Sequence, residues 1–459
     1  MKNKQTYPFS MFQICRFEAF VQNRASSFLT VSILQPLVSQ VRPQASSFQL
    51  PFITFHFKSV LIASFLLFTV SMINGQSIDV LTLEALENNP EIKKFDFQYK
   101  IASEKVNEVN TLPNTEFNIG VMARAPETEM PMQRFRVTAM QMLPSFGSIS
   151  ARENYATSMA DAQYVEITIA KRKLTLSVAQ FYYLLYEIKA RQIVLDENIA
   201  LLQSYENLAL SSVEIGKASA VDVLRLQIRQ NELKQEKDVL IQQYKGVQSA
   251  LNSLMNREYD KVVSVVSALD IPENDGFSGY ETLALNPELL KYDKLYQSVE
   301  KSELLNQKED DPMLGFGLEY INLENTPMIT SSYRDMIMPM VSLSIPIFNN
   351  KYKSQTKQNE LRKQEIQSQK VERLNLLTSE LTKAISQRNQ ARIKYNTQEK
   401  NLKQAKNAED ILIKNYETGT INFNDVLDIQ ELQLKFQINQ IESVKTYYVQ
   451  TTIINYLTS

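Results

Sequence analysis

Two hydrophobic periods divide this chain. Phe117, Ile119, Val121 and Ala123 alternate with Asn118, Gly120, Met122 and Arg124, and Phe135, Val137 and Ala139 alternate with Arg136, Thr138 and Met140. The same period returns at Leu314, Phe316, Leu318 and Tyr320 against Gly315, Gly317 and Glu319, and at Val341, Leu343 and Ile345 against Ser342 and Ser344. A period of two means a strand with one apolar and one polar face. The pattern predicts strands over about residues 115–124, 133–143, 313–321 and 336–347. Runs of about nine to eleven such residues suit a tilted strand crossing a bilayer, apolar face to lipid; an ordinary half-buried sheet has the same pattern. Four strands cannot close a barrel, for which about eight is the usual minimum, so strands that cross a membrane here must share one barrel with other chains.

Elsewhere the period lies between three and four. No proline occurs between Pro144 and Pro272 or after Pro346, so both tracts can be helical throughout. In the second, positions 374, 377, 381, 384, 388, 391, 395, 398, 402, 405, 409, 412 and 416 keep a three-four spacing, and all but Arg388, Gln398 and Glu409 are apolar or Tyr. A sustained heptad predicts packing against neighbouring helices in a left-handed supercoil. The segments from about Ile149 to Ser212 and from Lys351 to Tyr416 would each reach roughly 95 Å at 1.5 Å per residue. Gly216 and Gly419 follow as helix C-caps, after which the chain returns through a helix of about 35 residues. The two breaks should therefore lie together at one end.

The chain also repeats itself at a separation of about 200 residues, beyond solenoid periods, which implies two large halves. Asn89-Pro-Glu91, with Lys94, Phe95 and Asp96, matches Asn286-Pro-Glu288 with Lys291, Tyr292 and Asp293. Leu143-Pro-Ser-Phe146 matches Ile345-Pro-Ile-Phe348. Glu214, Gly216, Asp222, Val223 and Leu224 match Glu417, Gly419, Asp425, Val426 and Leu427. Each half, 76–271 with its tip at 214–222 and 272–459 with its tip at 417–425, reads as helix, strand, strand, long helix, glycine break, long helix. The joint falls near Ile271 to Gly279.

Residues 1–75 stand apart. Lys58 precedes an apolar run from Val60 to Val70 and a small-residue stretch to Gly75, the pattern of a secretory signal peptide cut after Gly75 or nearby. Residues 1–50 have no such pattern and read as a misassigned start. This leader holds the only Cys (Cys15), the only His (His56), six basic residues and one acidic residue, which leaves a net charge of −7 on the remainder. That balance excludes a nucleic-acid footprint. Without thiol or imidazole, the body can build no disulfide, no Cys/His zinc site and no His- or Cys-based triad. No phosphate loop or nucleophile elbow appears either, so the reading is a non-enzyme without cofactor. No run reaches 18 apolar residues, so a membrane-spanning body would have to be a closed β-barrel.

Signal peptide, duplicated strand pair with helical hairpin, and the pattern E-x-G-x-x-x-x-x-D-V-L at both tips make residues 77–459 resemble the TolC-like outer-membrane efflux proteins. The resemblance implies a mainly α fold with a membrane β-barrel part, assembled as a homotrimer with a 12-stranded β-barrel on a 12-helix α-barrel. It implies a passive duct in the outer membrane of a Gram-negative bacterium, surrounded by outer-membrane lipid, with the helical tube in the periplasm. Its partners would be a periplasmic adaptor (membrane fusion protein) and an inner-membrane pump of the proton-driven resistance-nodulation-division type, docked at a tip that includes Gly216, Lys217, Gly419 and Thr420. It also implies a periplasmic gate. Asp425 and Asp428 match the acidic ring of the family's narrow entrance, and trimerisation would gather these carboxylates into a cation-attracting constriction. The bland alternative is that Asp425, like its repeat equivalent Asp222, caps its helix. Ile421 stands where the family pattern places an Arg latch, and Arg225, the repeat equivalent of Asp428, is the substitute partner for Asp425 or Asp428.

Two matters stay open at this level. Ten of the fifteen methionines fall in the strand regions (Met122, Met130, Met132, Met140, Met142, Met313, Met328, Met336, Met338, Met340), where thioethers are soft Cu(I) ligands or adaptable apolar filler. Alternation is expected to place several of them inconsistently for a lumen, which favours filler and no metal site. The competing functions are the duct of a protein secretion system and a periplasmic coiled-coil adaptor or scaffold. An adaptor would carry one hairpin between β-rich domains, whereas here the hairpin appears twice.

Overall fold

The computed structural model describes residues 76–122, 132–216, 219–275, 279–324, 334–418, 420, 421 and 423–458. The leader at 1–75, Lys217, Gly419, Met130 and Met328 lie outside the described residues. The elements are α1 (Ile78–Asn88), α2 (Pro90–Val109), β1 (Glu116–Val121), β2 (Met132–Leu143), α3 (Ser148–Glu214), α4 (Ala220–Leu254), a 3-10 turn (Tyr280–Leu285), α5 (Pro287–Asp310), β3 (Met313–Glu324), β4 (Met336–Ser344), α6 (Lys351–Glu417) and α7 (Phe423–Thr458). The long helices α3 and α6 have 67 residues each. At 1.5 Å per residue each is about 100 Å long.

Each long helix is flanked by a short helix near the sheet and by its own return helix near the tip. Near the sheet, α3 meets α5 through Arg152–Glu309 at 3.3 Å and Lys294–Asp161 at 3.6 Å, and meets α2 through the Tyr99–Tyr164 ring pair. Toward the tip it meets α4 through Arg191–Glu236 at 3.1 Å and α7 through Asn198–Gln437 at 3.1 Å. The second half follows suit: α6 meets α5 through Asn359–Glu303 at 2.8 Å and α7 through Gln433–Glu409 at 2.7 Å.

The Asn-Pro-Glu motifs explain how four columns arise from six of these helices. Asn89 caps α2, its Oδ1 accepting from the backbone of Glu91 at 2.8 Å and Ile92 at 3.3 Å, with Pro90 supplying a preset first helical turn. Its Nδ2 donates to the carbonyl of Leu254 at 2.8 Å, the last residue of α4. Asn286 repeats the device, accepting from Glu288 at 2.9 Å and donating to Leu457 at 3.0 Å in the last turn of α7. One buried amide thus satisfies orphan donors of the helix that starts and orphan acceptors of the helix that ends. The return helices α4 and α7 continue end to end into α2 and α5, which leaves four columns: α4/α2, α3, α7/α5 and α6.

Heptad burial in α6 follows the predicted spacing. Leu377, Leu381, Ala384, Arg388, Ala391, Ala405 and Tyr416 are buried, while Leu374 at the start of the series is exposed. Two of its polar exceptions have charged or polar partners, Arg388 an ion pair to Asp275 at 3.7 Å and Glu409 a hydrogen bond from Gln433. The connection between the halves crosses three columns at mid-height and is held by tyrosines. The Tyr182 and Tyr186 hydroxyls of α3 accept from the backbone of Val266 and Leu269 at 3.3 and 3.2 Å, and Tyr448 of α7 donates to Asp270 O at 2.7 Å. Asp275 then receives Tyr447 Oη at 2.6 Å and the Arg392 guanidinium of α6.

The strands form one antiparallel sheet in the order β1-β2-β3-β4. Its register pairs Phe117 with Ala139, Ile119 with Val137, Ala139 with Leu318, Tyr320 with Ile337 and Phe316 with Val341. Every apolar position of the alternating pattern therefore falls on one face. That face is bare: Ile119 and Val341 are 73% and 71% exposed. The sheet is open, with β1 and β4 as unpaired edges among the described residues.

Candidate functional site: the hairpin tips and the polar face of the sheet

The two tips lie together. Val223 and Leu226 of the first turns of α4 share one apolar cluster with Tyr416, Phe423 and Val426 of the second hairpin and with Tyr205 of α3. Phe423 packs edge-on against Tyr416 and Tyr205 at centroid distances of 4.9 and 5.8 Å. Ile421, where a latch Arg was sought, packs partly buried against this cluster.

The first tip turns on backbone geometry. Gly216 adopts φ +71°, in the left-handed region that ends helices, and its N–H reaches Val213 O at 3.0 Å. Ser219 and Asp222 then form a capping box: Ser219 Oγ accepts from Val221 N at 3.2 Å, and Asp222 Oδ2 accepts from Ser219 N at 3.3 Å. Asp222 thus serves the helix start, as the sequence offered in its alternative, as the capping-box partner of the N-cap Ser219. In the second tip Thr420 ties back to Asn415 O through its N–H at 3.0 Å and its hydroxyl at 2.8 Å. Asp425 occupies the first turn of α7, and both it and Asp428 are exposed and make no ion pair among the described residues.

Arg225 lies between the hairpins. It donates to Asn424 Oδ1 of α7 and stands 3.9 Å from Asp222 of its own helix. One turn on, Arg229 repeats the bridge with Glu431 of α7 at 3.8 Å. Within the protomer Arg225 thus engages the neighbour of Asp425, not Asp425 or Asp428 themselves.

Sequence comparison of the tips alone missed a pair of buried polar nodes just above them. Glu206 of α3 accepts from Gln227 and Gln230 of α4 at 2.7 and 2.8 Å and from Gln203 at 3.0 Å. Glu409 of α6 accepts from Gln433 of α7 at 2.7 Å and from the Tyr205 hydroxyl. Extending the tip alignment at its constant offset makes Glu206 coincide with Glu409 and Gln230 with Gln433. The signal was present, about two turns from the motif.

Ionisation follows these partners. The hydrogen bonds from Gln227 and Gln230 hold the Glu206 carboxyl below the usual range, outweighing its burial. Burial pushes Glu288 the other way, but Arg373 at 2.6 Å and the Tyr456 hydroxyl more than compensate, so its carboxyl is also held low. Asp275 is lowered in the same manner, burial being overcome by Tyr447, Arg392 and Arg388. These three carboxylates are charges locked into packing contacts.

The opposite face of the sheet corrects one expectation. Register places Met140 beside Gly317, Met142 beside Gly315, Met340 beside Gly317, Met338 beside Glu319, Met336 beside Ile321 and Met313 beside Ser344. All six share the face of Arg136, Thr138, Ser342 and Ser344, so these six are consistent with a lumen, while Met132, opposite Glu324 beyond the β2 bulge, falls on the apolar face. Parity had fixed this already for the six, since each is an odd number of residues from an apolar-face position in its own strand. Glu319, buried on this face, pairs with Arg136 at 3.3 Å and accepts from Thr138 at 3.5 Å.

No protein-family profile matches the chain, and no curated protein matches its sequence. Solved structures do. The outer membrane protein VceC from Vibrio cholerae superposes with a TM-score of 0.68 at 15% identity, over 83% of this chain and 95% of that one. The outer-membrane channel OprN gives 0.69 at 14% identity, over 83% and 89%. The Campylobacter jejuni CmeC outer membrane channel gives 0.67 at 13% identity, over 84% and 86%. The chain has the fold of the TolC-like outer-membrane channels. At this identity the likeness establishes architecture: the open sheet, the spliced columns and the paired tips of this chain belong to a channel fold. Among the described residues no helix is long and apolar enough to cross a membrane.

Proposed function

We propose that this chain is one protomer of a homotrimeric outer-membrane duct through which small molecules or metal ions leave the cell unmodified. The observation that carries the reading is the open four-stranded sheet, bare and apolar on one face, set at one end of helical columns about 100 Å long. Such a sheet cannot stand alone in water or lipid, because its edge groups need partners and its apolar face needs cover. Three copies supply twelve strands, enough to close a barrel in outer-membrane lipid, and twelve columns for a periplasmic tube.

The tips would then form the periplasmic entrance. Asp425 and Asp428, exposed and without an ion pair among the described residues, give a ring of carboxylates there when three copies meet, and Arg225 and Arg229 bridge the hairpins to hold it narrow. Asp222 supports this ring as a cap. The turns at Gly216, Lys217, Gly419 and Thr420 are the surface for a periplasmic adaptor and an inner-membrane pump of the resistance-nodulation-division type, which would supply the energy. The mass of the detergent-purified protein tests the assembly. Three chains per particle are expected; a monomer that stays soluble without detergent would return the chain to the adaptor or scaffold class.

A further inference from the structure

We propose that the polar face of the sheet carries a transit site for a soft monovalent cation, Cu(I) or its analogue Ag(I), formed by the thioethers of Met140, Met142 and Met340 over the bare backbone of Gly315 and Gly317. The proposal rests on the duct reading, which makes this face the lumen. Three neighbouring strands build the site. Gly317 is flanked in register by Met140 on β2 and Met340 on β4, and Gly315 by Met142 and Ser342.

The glycines are required by the sulfurs. A Cβ on Gly315 would stand 2.5 Å from Met142 Sδ, 2.6 Å from Ser342 Oγ and 3.3 Å from Met140 Sδ. A Cβ on Gly317 would stand 2.8 Å from Met140 Cε and 3.0 Å from its sulfur. Both thioethers therefore lie in the space that a side chain on β3 would fill, and their sulfurs are at most about 5.8 Å apart, the limit set by their distances from one point. Ser342 fixes one of them, its hydroxyl donating to Met142 Sδ at 3.4 Å. Unbranched methionine side chains need only a rotamer change to converge on a shared ion.

Placement argues against apolar filler. A methionine that merely replaced leucine would sit on the lipid-side face; among the described residues Met132, opposite Glu324, falls there, whereas Met140, Met142, Met313, Met336, Met338 and Met340 share the other face. Neutral thioethers select soft Cu(I)-type ions over hard divalent cations. The buried carboxylate on this face, Glu319, is already engaged by Arg136 and Thr138 and does not compete as a hard ligand. Met338 and Met336 continue the line along β4 at about 7 Å intervals, two residues of strand rise, toward the loop end of the sheet. Weak sites in series are what conduction requires, since each must release what it binds.

The test uses the full mature chain in detergent, Ag(I) as nitrate in chloride-free buffer, a binding titration and silver-edge X-ray absorption. The wild type is expected to bind Ag(I) through sulfur neighbours and to ignore Zn(II); the variant Met140→Leu/Met142→Leu/Met340→Leu should bind about tenfold more weakly or worse, as loss of direct ligands demands. Leucine keeps the volume, so potassium conductance in a planar bilayer should be unchanged and reports that the variant still assembles. If the triple variant fails to assemble, Met142→Leu alone is read in the same way. Unchanged Ag(I) affinity in the variant, or oxygen and nitrogen neighbours only, overturns the site while leaving a conducting duct intact. Sulfur-bound Ag(I) on a protein that never conducts overturns transit, and with it the duct reading.

Discussion

The two hairpins of this chain share a scaffold and differ in their charge. Both end on a splice in which a buried Asn joins two helices, both carry a Glu–Gln node above the tip, and both bury a Val in the first turn of the return helix. At the tips they part. Asp222 of the first is consumed by a capping box and Arg225 by Asn424, whereas Asp425 and Asp428 of the second stand exposed without an ion partner among the described residues. Backbone-satisfying residues were kept in both copies because either loss would leave buried polar groups unpaired. Surface charge at the exposed tips is under no such constraint, and there the two copies differ.

The splices should separate most strongly from the rest. Asn286→Ala and Asn89→Ala each remove a helix cap and strand a buried carbonyl of the preceding helix, so each should lower stability by about 2–4 kcal/mol. Denaturant or thermal unfolding in detergent checks this; a loss no larger than that of an ordinary exposed cap would show that the columns do not depend on the joint. Next come the nodes. Glu206→Ala and Glu409→Ala should each cost about 2 kcal/mol by leaving buried Gln amides unsatisfied, and combining Glu206→Ala with Gln230→Ala should recover part of the loss.

Acid should act on the second half through two paired carboxylates. Glu288 and Asp275 have lowered folded-state values, so the stability they contribute is complete above their ordinary carboxylate range and is lost as pH falls through the folded value. Unfolding midpoints measured from neutral pH down to about pH 3 should decline, and Glu288→Gln should flatten that decline. At Gly216, Ala has room, since nothing lies within 4 Å of a new Cβ, but φ +71° opposes it; Gly216→Ala should cost about 1 kcal/mol. The smallest stability effect sharpens the comparison most. Asp222→Ala should cost about 1 kcal/mol through its cap, while Asp425→Ala should stay within about 0.5 kcal/mol and alter conduction instead.

Local pattern carried much of this architecture and failed where distant partners decide. The alternation of Phe117 to Val121 and Leu314 to Tyr320, and the heptad from Leu377 to Tyr416, are read from neighbours in sequence and reappear as one sheet face and one buried stripe. The Asn-Pro-Glu motifs were visible as a repeat, but their use as splices was hidden, since the carbonyls they reach lie 165 and 171 residues away. Arg225 was matched to Asp425 or Asp428 from its place in the repeat; within the protomer its partners are Asn424 and Asp222. The expectation that alternation scatters the methionines holds for Met132, opposite Glu324, but not for Met140, Met142 and Met340, which strand parity followed through to the register gathers beside Gly315 and Gly317.

The most direct test of the duct is single-channel conductance of the purified protein in a planar bilayer, wild type beside Asp425→Ala/Asp428→Ala. A low, cation-selective conductance that rises or loses its selectivity in the double variant is the predicted result; a protein that never inserts into the bilayer would contradict the account.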